Sequence, residues 1–372
     1  MEKKLTDICE IQYGYAFDSA KFSTVEGIPL IRIRDVVRGY SETYTTEVCG
    51  EEYIVNDGDM LIGMDGEFNI AHWCGGKAYL NQRVCRLIPT DAVDALYLYY
   101  FMPKALKEIE AKTPFVTVKH LSAKELNKVV VPMPAMDEQK KVANSLKKVD
   151  ELIALRKEQL VKLDTLVKSR FIELFGDADY PKVLFENVCV FLRNGASIKQ
   201  TKGAGGYPIT RIETLSNDVF NIDRLGYADI TDLEKYQSYV LHNGDILISH
   251  INSVAYLGRA VQYRGQLDTP IIHGMNLLCA RIADSYNPTY IEWFFKTPMA
   301  KEYILTITKK AVNQASITTS DLKKMQVPNP PKNLQDQFAA FVEQTDKSKL
   351  AIQKSLEQLE TLKKSLMQQY FG

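Results

Sequence analysis

An α+β protein built from two β-rich domains in tandem, each followed by a long helix, is what this 372-residue sequence predicts. Three observations carry that expectation. The chain repeats itself at an offset of 196 residues, the best-kept part of each repeat is a proline-free heptad pattern, and the stretches ahead of it are short β-branched runs broken by turn dipeptides. The expected organisation is a β-rich domain over 1–135, a helical region over 136–176, a second β-rich domain over 177–331 and a second helical region over 332–372.

The repeat organises everything else. Residues 121–176 align without a gap on 317–372, with 16 of 56 positions identical, among them Leu126/Leu322, Val131/Val327, Pro132/Pro328, Gln139/Gln335, Asp150/Asp346 and the closing Phe175-Gly176/Phe371-Gly372. Upstream the match survives as islands: 29–33 meets 208–212 at an offset of 179, 58–62 meets 244–248 at 186, and Tyr97 with Tyr100-Phe101 meets Ile291 with Phe294-Phe295 at 194. Shrinking offsets are what insertions in variable loops produce, so each unit has a divergent front and a preserved back.

The preserved back reads as a helix. Val142, Leu146, Val149, Ile153, Arg156, Leu160, Leu163, Val167 and Phe171 recur at spacings of four and three, a seam with one Arg interruption. Its partner runs Val342, Thr345, Lys349, Ile352, Leu356, Leu359, Lys363, Leu366, Tyr370, with polar breaks. Roughly 35–40 helical residues at about 1.5 Å each span some 50–60 Å, too long for a small domain to bury, so the two helices are expected to pack on each other as an antiparallel coiled coil related by a pseudo-twofold. Pro132, Pro134, Pro328, Pro330 and Pro331 mark where the helices begin, since proline is tolerated before a helix and not inside it.

In the fronts, Asn56-Asp57-Gly58-Asp59 before Met60-Leu61-Ile62 and His242-Asn243-Gly244-Asp245 before Ile246-Leu247-Ile248 are turn-then-strand signals. Residues 96–111 and 290–305 look helical, interrupted at Pro103 and Pro298, with an aromatic stripe expected in the core.

Composition is that of a globular chain: 45% hydrophobic, 25% charged, with 46 basic and 46 acidic residues balancing to zero. No apolar run is long enough to span a membrane and the start lacks a secretory h-region, so a cytoplasmic location is expected. Six cysteines without a CxxC pair read as reduced, mostly buried thiols, and His72 with Cys74 has no second pair nearby to complete a metal site. Catalysis is not expected. Asn329-Pro330-Pro331 is followed by Lys332, which lacks the ring that stacks on a flipped base, and 202–206 has neither the context of a Rossmann turn nor a P-loop ending. Of Asp57, Asp59, Asp65 and Glu67 only Asp245 persists in the second copy, so no nuclease-like metal cluster is repeated. Two divergent heads on a stiff rod suit a long regular partner, and duplex DNA, with its repeat of about 34 Å, fits.

The repeated Pro-x-x-Arg-Ile segment (29–33, 208–212), the repeated Gly-Asp-x-Leu-Ile segment (58–62, 244–248) and the Val-Pro-x-Pro start of a heptad helix ending in Phe-Gly occur twice in the same order. In this the whole chain resembles the specificity subunit of Type I restriction–modification systems. The resemblance implies two target recognition domains, each reading one half of a bipartite double-stranded DNA target, with the helices spacing them and docking two methyltransferase subunits. It also implies a restriction and translocation subunit as a further partner. No cofactor is expected in this chain; S-adenosylmethionine, ATP and magnesium would belong to the partner subunits. The runner-up is a coiled-coil protein-interaction scaffold that does not recognise DNA.

The first front carries 15 basic and 19 acidic residues and the second 16 and 15. Phosphate contacts dominate DNA affinity, so cations must be concentrated locally. Candidates are Arg32, Arg34, Arg38, Lys77 and Arg83 in the first front, and Lys199, Lys202, Arg211, Arg259 and Arg264 in the second. Base readout favours polar side chains in strand-connecting loops, Arg for guanine and Asn or Gln for adenine. That selects Asn69, Asn81 and Gln82, and in the second copy His250, Asn252, Ser253 and Asn276.

Overall fold

The computed structural model describes residues 1–113, 119–176, 179–201, 205–311 and 314–372. They form two compact units, residues 1–158 with 353–372 and residues 159–352. The division falls inside the helical regions. Each unit combines the first part of one long helix with the last part of the other, the helices being Met136–Phe175 and Lys332–Phe371, 40 residues each.

Both units follow one chain path. The first has a four-stranded antiparallel sheet in the order Cys9–Tyr13, Val84–Pro89, Met60–Gly63, Asn69–His72. The second has Cys189–Asn194, Leu277–Ile282, Ile246–Ser249, Ala260–Gln262 in the equivalent places. A second sheet in the first unit runs Phe22–Ser23, Tyr44–Thr45, Ile28–Ile31, Ala78–Leu80, Ile54–Val55, with Ile28–Ile31 parallel to Ala78–Leu80. Its counterpart is Gln200–Thr201, Gly226–Ala228, Tyr207–Ile209, extended by a parallel bridge from Ile209 to Ile272 and an antiparallel one from Ile272 to Val240. Each front closes on its first strand, Glu2–Lys4 against Val130–Pro132 and Lys182–Leu184 against Gln326–Pro328.

The Gly-Asp-x-Leu-Ile segment is a structural device in both units. Gly58 and Gly244 turn the chain at φ of 93° and 96°, a left-handed region that disfavours side chains. Asp59 Oδ2 accepts from the Asn56 amide at 2.9 Å and Asp245 Oδ2 from the His242 amide at 2.8 Å, closing the turn. The strand that follows is buried on both faces. Met60 and Ile62 enter the core shared with the helices while Leu61 enters the one beneath the second sheet, and Ile246, Ile248 and Leu247 divide in the same way.

The aromatic stripe is buried as expected, with a shifted register. Tyr97 hydroxyl donates to the Pro132 carbonyl at 3.0 Å and Tyr290 hydroxyl to the Pro328 carbonyl at 2.9 Å, which equates Tyr97 with Tyr290 and not with Ile291. Tyr100-Phe101 matches either Trp293-Phe294 or Phe294-Phe295, so local similarity alone cannot resolve one residue. The two stripes also differ in continuity. Helix Ala95–Lys112 runs through Pro103 without the expected break, while its counterpart is broken into Pro288–Phe294 and Pro298–Ile307, Pro298 standing in the first turn of the second piece, where its missing N–H costs nothing. Gln139 and Gln335, buried at the helix starts, tie front to helix: their side-chain carbonyls accept from the Asp94 and Asn287 amides at 3.0 and 2.9 Å.

Within each unit the helix segments pair antiparallel. In the first, Asp150 meets Lys363 at 2.6 Å and Lys157 meets Glu360 at 3.7 Å, numbers rising on one helix as they fall on the other. In the second, Asp164 meets Lys349 at 2.6 Å and Phe171 packs on Phe338. Lys349 and Lys363, polar breaks in the heptad reading, are thus the cations of cross-helix pairs. Val142, Leu146, Val149 and Val342 are buried, Ile153, Leu160, Leu163, Ile352, Leu356, Leu359 and Leu366 are half-buried, and off-seam Leu152, Leu155, Val161 and Leu350 are exposed. The repeated Phe-Gly ending also has a seat in each unit. Phe371 packs on Tyr97 and Phe101, with the Lys104 ammonium donating to its carbonyl, and Phe175 packs on Tyr290.

All six cysteines are free: Cys9, Cys85 and Cys279 are buried, Cys49 and Cys189 half-buried, and Cys74 is exposed. Burial pushes the Cys9, Cys85 and Cys189 thiols up to about 12. Among the described residues no helix is long and apolar enough to cross a membrane.

Candidate nucleic-acid interface

In the first unit, strands Cys9–Tyr13, Ile28–Ile31, Met60–Gly63 and Ala78–Leu80 end, and Asn69–His72 and Val84–Pro89 begin, at one rim. Backbone bonds knit it together. Tyr15 N donates to Leu80 O at 2.9 Å, Gln82 N to Tyr15 O at 2.9 Å, Met64 N to Arg83 O at 3.0 Å and Leu121 N to Met64 O at 2.7 Å, while Asp65 bridges to His120. The second unit repeats the frame with Ala196 N to His273 O at 2.8 Å, Met275 N to Ala196 O at 3.1 Å, Ile317 N to His250 O at 3.0 Å and Ile251 paired with Ser316. A glycine makes the closest approach in each: a Cβ on Gly14 would sit 2.1 Å from the Asn81 carbonyl oxygen and one on Gly195 2.2 Å from that of Gly274.

On this shared frame the side chains differ. In the first unit Asp65 Oδ1 lies 2.5 Å from His120 Nδ1, and Arg83 stands against both, Nε 3.6 Å from Asp65 Oδ2 and Nη1 3.2 Å from His120 Nδ1. Arg32 follows the end of its strand, exposed. Its amide donates to Asp35 Oδ2 at 2.9 Å to start helix Ile33–Arg38. Gln82 is exposed at the tip of the turn, whereas Asn81 spends its carbonyl on the Gln82 amide at 2.9 Å and Asn69 donates to the Glu67 carbonyl at 3.0 Å.

In the second unit the rim gathers Arg211, His250, Asn252, Ser253 and Asn276. Arg211 mirrors Arg32, its amide donating to Thr214 Oγ1 at 2.9 Å, and its Nε donates to Gln200 beside the exposed Lys199. Asn252 donates to Ser249 Oγ at 3.3 Å and accepts from the Ser253 amide at 2.8 Å. His250 is only 7% exposed, so its carbonyl serves the frame and its ring presents little edge outward.

Several candidates lie elsewhere or are already engaged. Arg34 is held by Thr43 and Asp35, and Arg38 by Glu42 at 2.9 Å. Lys77 precedes strand Ala78–Leu80 and so sits at the end opposite the rim. Arg264 also lies at the far end, paired with the buried Glu292 at 3.0 Å. Arg259 is beside the rim but pinned by Asp218 at 2.9 Å, the Leu215 carbonyl at 2.8 Å and the Tyr256 ring. Lys202 lies outside the described residues. The residue missed by sequence reasoning is His120, 55 positions from Asp65; one more step back along the gap-free 196 alignment pairs it with Ser316.

The carboxylates that suggested a metal cluster serve other partners: Asp57 accepts from the Gly76 amide, Asp59 pairs with Arg86, and Asp65 with Arg83 and His120. His72 packs on the Tyr99 ring, and among the described residues no group of three or more His, Cys, Asp and Glu is placed to hold a metal ion.

Burial holds His250 and His273 below the usual histidine range, Arg193 adding to the effect at His273. A depressed pKa favours the fold while both rings are neutral, so this stability is full above about pH 6.5 and is lost as pH falls. Denaturant midpoints should therefore drop between pH 7.5 and pH 5, and substituting both histidines by glutamine should flatten that slope. An unchanged slope would count against it.

A family model described as the Type I restriction modification DNA specificity domain matches residues 1–165 and 182–363, restarting as the internal repeat requires. The Type I restriction enzyme EcoBI specificity subunit of Escherichia coli is 27% identical over an alignment covering 99% of this chain and 84% of that protein. The EcoKI specificity subunit of Escherichia coli is 21% identical over 85% of this chain and 75% of its own length. Among solved structures, the S subunit of a Type-I restriction-modification system from M. genitalium superposes with a TM-score of 0.61 at 13% identity, covering 99% of this chain and 94% of that one. A chain solved in work on complex assembly and conformational transition of the type I R-M system superposes at 0.60 and 16% identity, over 100% of this chain and 97% of that one.

Proposed function

Because this chain belongs to the Type I restriction modification DNA specificity family, we propose that it is the DNA-recognition subunit of such a complex, each unit reading one half of a bipartite duplex target. The observation that carries this reading is the rim: one backbone frame, built twice, bearing different side chains. Two identical frames with identical residues would read a symmetric site; unlike residues select two different half-sites.

In this reading the chain is itself non-catalytic and works in the cytoplasm. The helices act as spacer and docking surface for two methyltransferase subunits, and a restriction and translocation subunit completes the complex. Those partners hold S-adenosylmethionine, ATP and magnesium. Exposed Arg32 at the first rim is suited to phosphates, as are exposed Lys309 and Lys310 of the second unit beside Ser316 and Ala315, whereas Lys199, level with Asp229 before strand Gln200–Thr201, lies at the far end of its sheet.

The test is to purify the chain with a methyltransferase partner and map modified sites on genomic DNA. A split motif is expected, and exchanging residues 177–331 for another recognition front should change one half and keep the other. The logarithm of duplex affinity should fall steeply and linearly with log salt. Modification without a split motif, or binding that ignores salt, would instead favour a protein-interaction scaffold.

A further inference from the structure

We propose that the two units read unlike bases at one equivalent rim position, a guanine through Arg83 in the first and an adenine through Asn276 in the second. The inference rests on the DNA-reading function above and specifies its substrate chemistry.

The two residues occupy the same place. Arg83 directly precedes Val84, which pairs with Gly63, and Asn276 directly precedes Leu277, which pairs with Ser249; Gly63 and Ser249 each close the Gly-Asp-x-Leu-Ile strand. The turns leading in, 81–82 and 274–275, bond to Tyr15 and Ala196 in the same pattern.

Their surroundings differ in a way that selects chemistry. The Arg83 side chain is 51% exposed, with Asp65 on its Nε side and the His120 ring against Nη1. A guanidinium buttressed at Nε presents its Nη1–Nη2 end forward as two parallel donors, the pattern that matches O6 and N7 of guanine. In the second unit Ile251 and Ser316 stand where Asp65 and His120 do, and neither offers the carboxylate or the ring that holds Arg83. Asn276 is half-exposed and makes no side-chain hydrogen bond among the described residues, leaving one donor and one acceptor. Adenine shows the complementary pair, N7 and N6, in the major groove. Asp65 and His120 are positioning residues, since they act through Arg83.

The experiment uses the full chain with its methyltransferase partner and maps the modified motif. Arg83→Ala should make one guanine position in one half degenerate, with discrimination falling about 5- to 150-fold, and Asn276→Ala should do the same at one adenine of the other half. Asp65→Asn should relax the same guanine more weakly and leave the remaining positions intact, which a general structural defect would not do. A second measurement needs no variant: wild-type complex on duplexes carrying 7-deazaguanine, which lacks N7, should lose affinity at that guanine alone. A motif that keeps every guanine with Arg83→Ala, or binding indifferent to 7-deazaguanine at every position of the motif, overturns the inference. A wild-type complex that modifies no split motif would instead sink the DNA-reading function beneath it.

Discussion

Replacing Phe171 by alanine is expected to destabilise the second unit by about 3–5 kcal/mol, the usual cost of removing a buried aromatic ring and leaving its cavity. The ring is 7% exposed and its centroid lies 5.0 Å from that of Phe175, 5.2 Å from Phe338, 5.8 Å from Tyr290 and 6.4 Å from Trp293. These partners come from both long helices and from the front, so no single neighbour can close the hole. The next residue provides the control. Ile172 is 61% exposed, and its alanine variant should stay within about 0.5 kcal/mol. Denaturant unfolding of the two variants measures the contrast, and equal midpoints would show that the aromatic cluster does not hold front to helix.

Arg281→Ala should cost a similar amount, about 3–5 kcal/mol, for an electrostatic reason. Asp245 is 1% exposed and accepts two bonds from Arg281, from Nε at 2.8 Å and from Nη2 at 2.7 Å, besides the His242 amide that closes the turn. Hydrogen bonding to this carboxylate raises the Arg281 pKa above its ordinary value. Without the guanidinium, a carboxylate remains buried beside one amide. The neutral pair Asp245→Asn with Arg281→Gln keeps a hydrogen bond and removes both charges, so the double variant should cost less than the sum of the singles. Additive losses would argue against coupling. In the first unit the corresponding pair, Asp59 with Arg86 at 2.9 Å, has its acid 29% exposed, and Arg86→Ala should therefore cost less.

The two aspartates show what a sequence reader can and cannot reach. Their place after Asn-x-Gly or Asn-Gly and before a β-branched run is local, and it predicted turn and strand in both copies. Their arginines are not equivalent in register: Arg86 pairs across from Leu61 but Cys279, not Arg281, pairs across from Leu247. Two positions further along the same strand, on the same face, the second copy has found its counter-ion independently. Similarly, Arg259 and Arg264 looked like free cations because their acids, Asp218 and Glu292, lie 41 and 28 residues away.

The sequence by itself determined the duplication, the turn-and-strand frame, the heptad seams and the paired Phe-Gly endings, because each is a periodicity or a spacing within a few turns of chain. Only the tertiary structure decided which half of each helix joins which unit, that Tyr97 answers Tyr290, and that Arg83, Asp65 and His120 share a rim. Those outcomes depend on strand register and on the burial of charge between segments far apart in the chain, where a shift of one residue exchanges the faces of a strand and with them every partner.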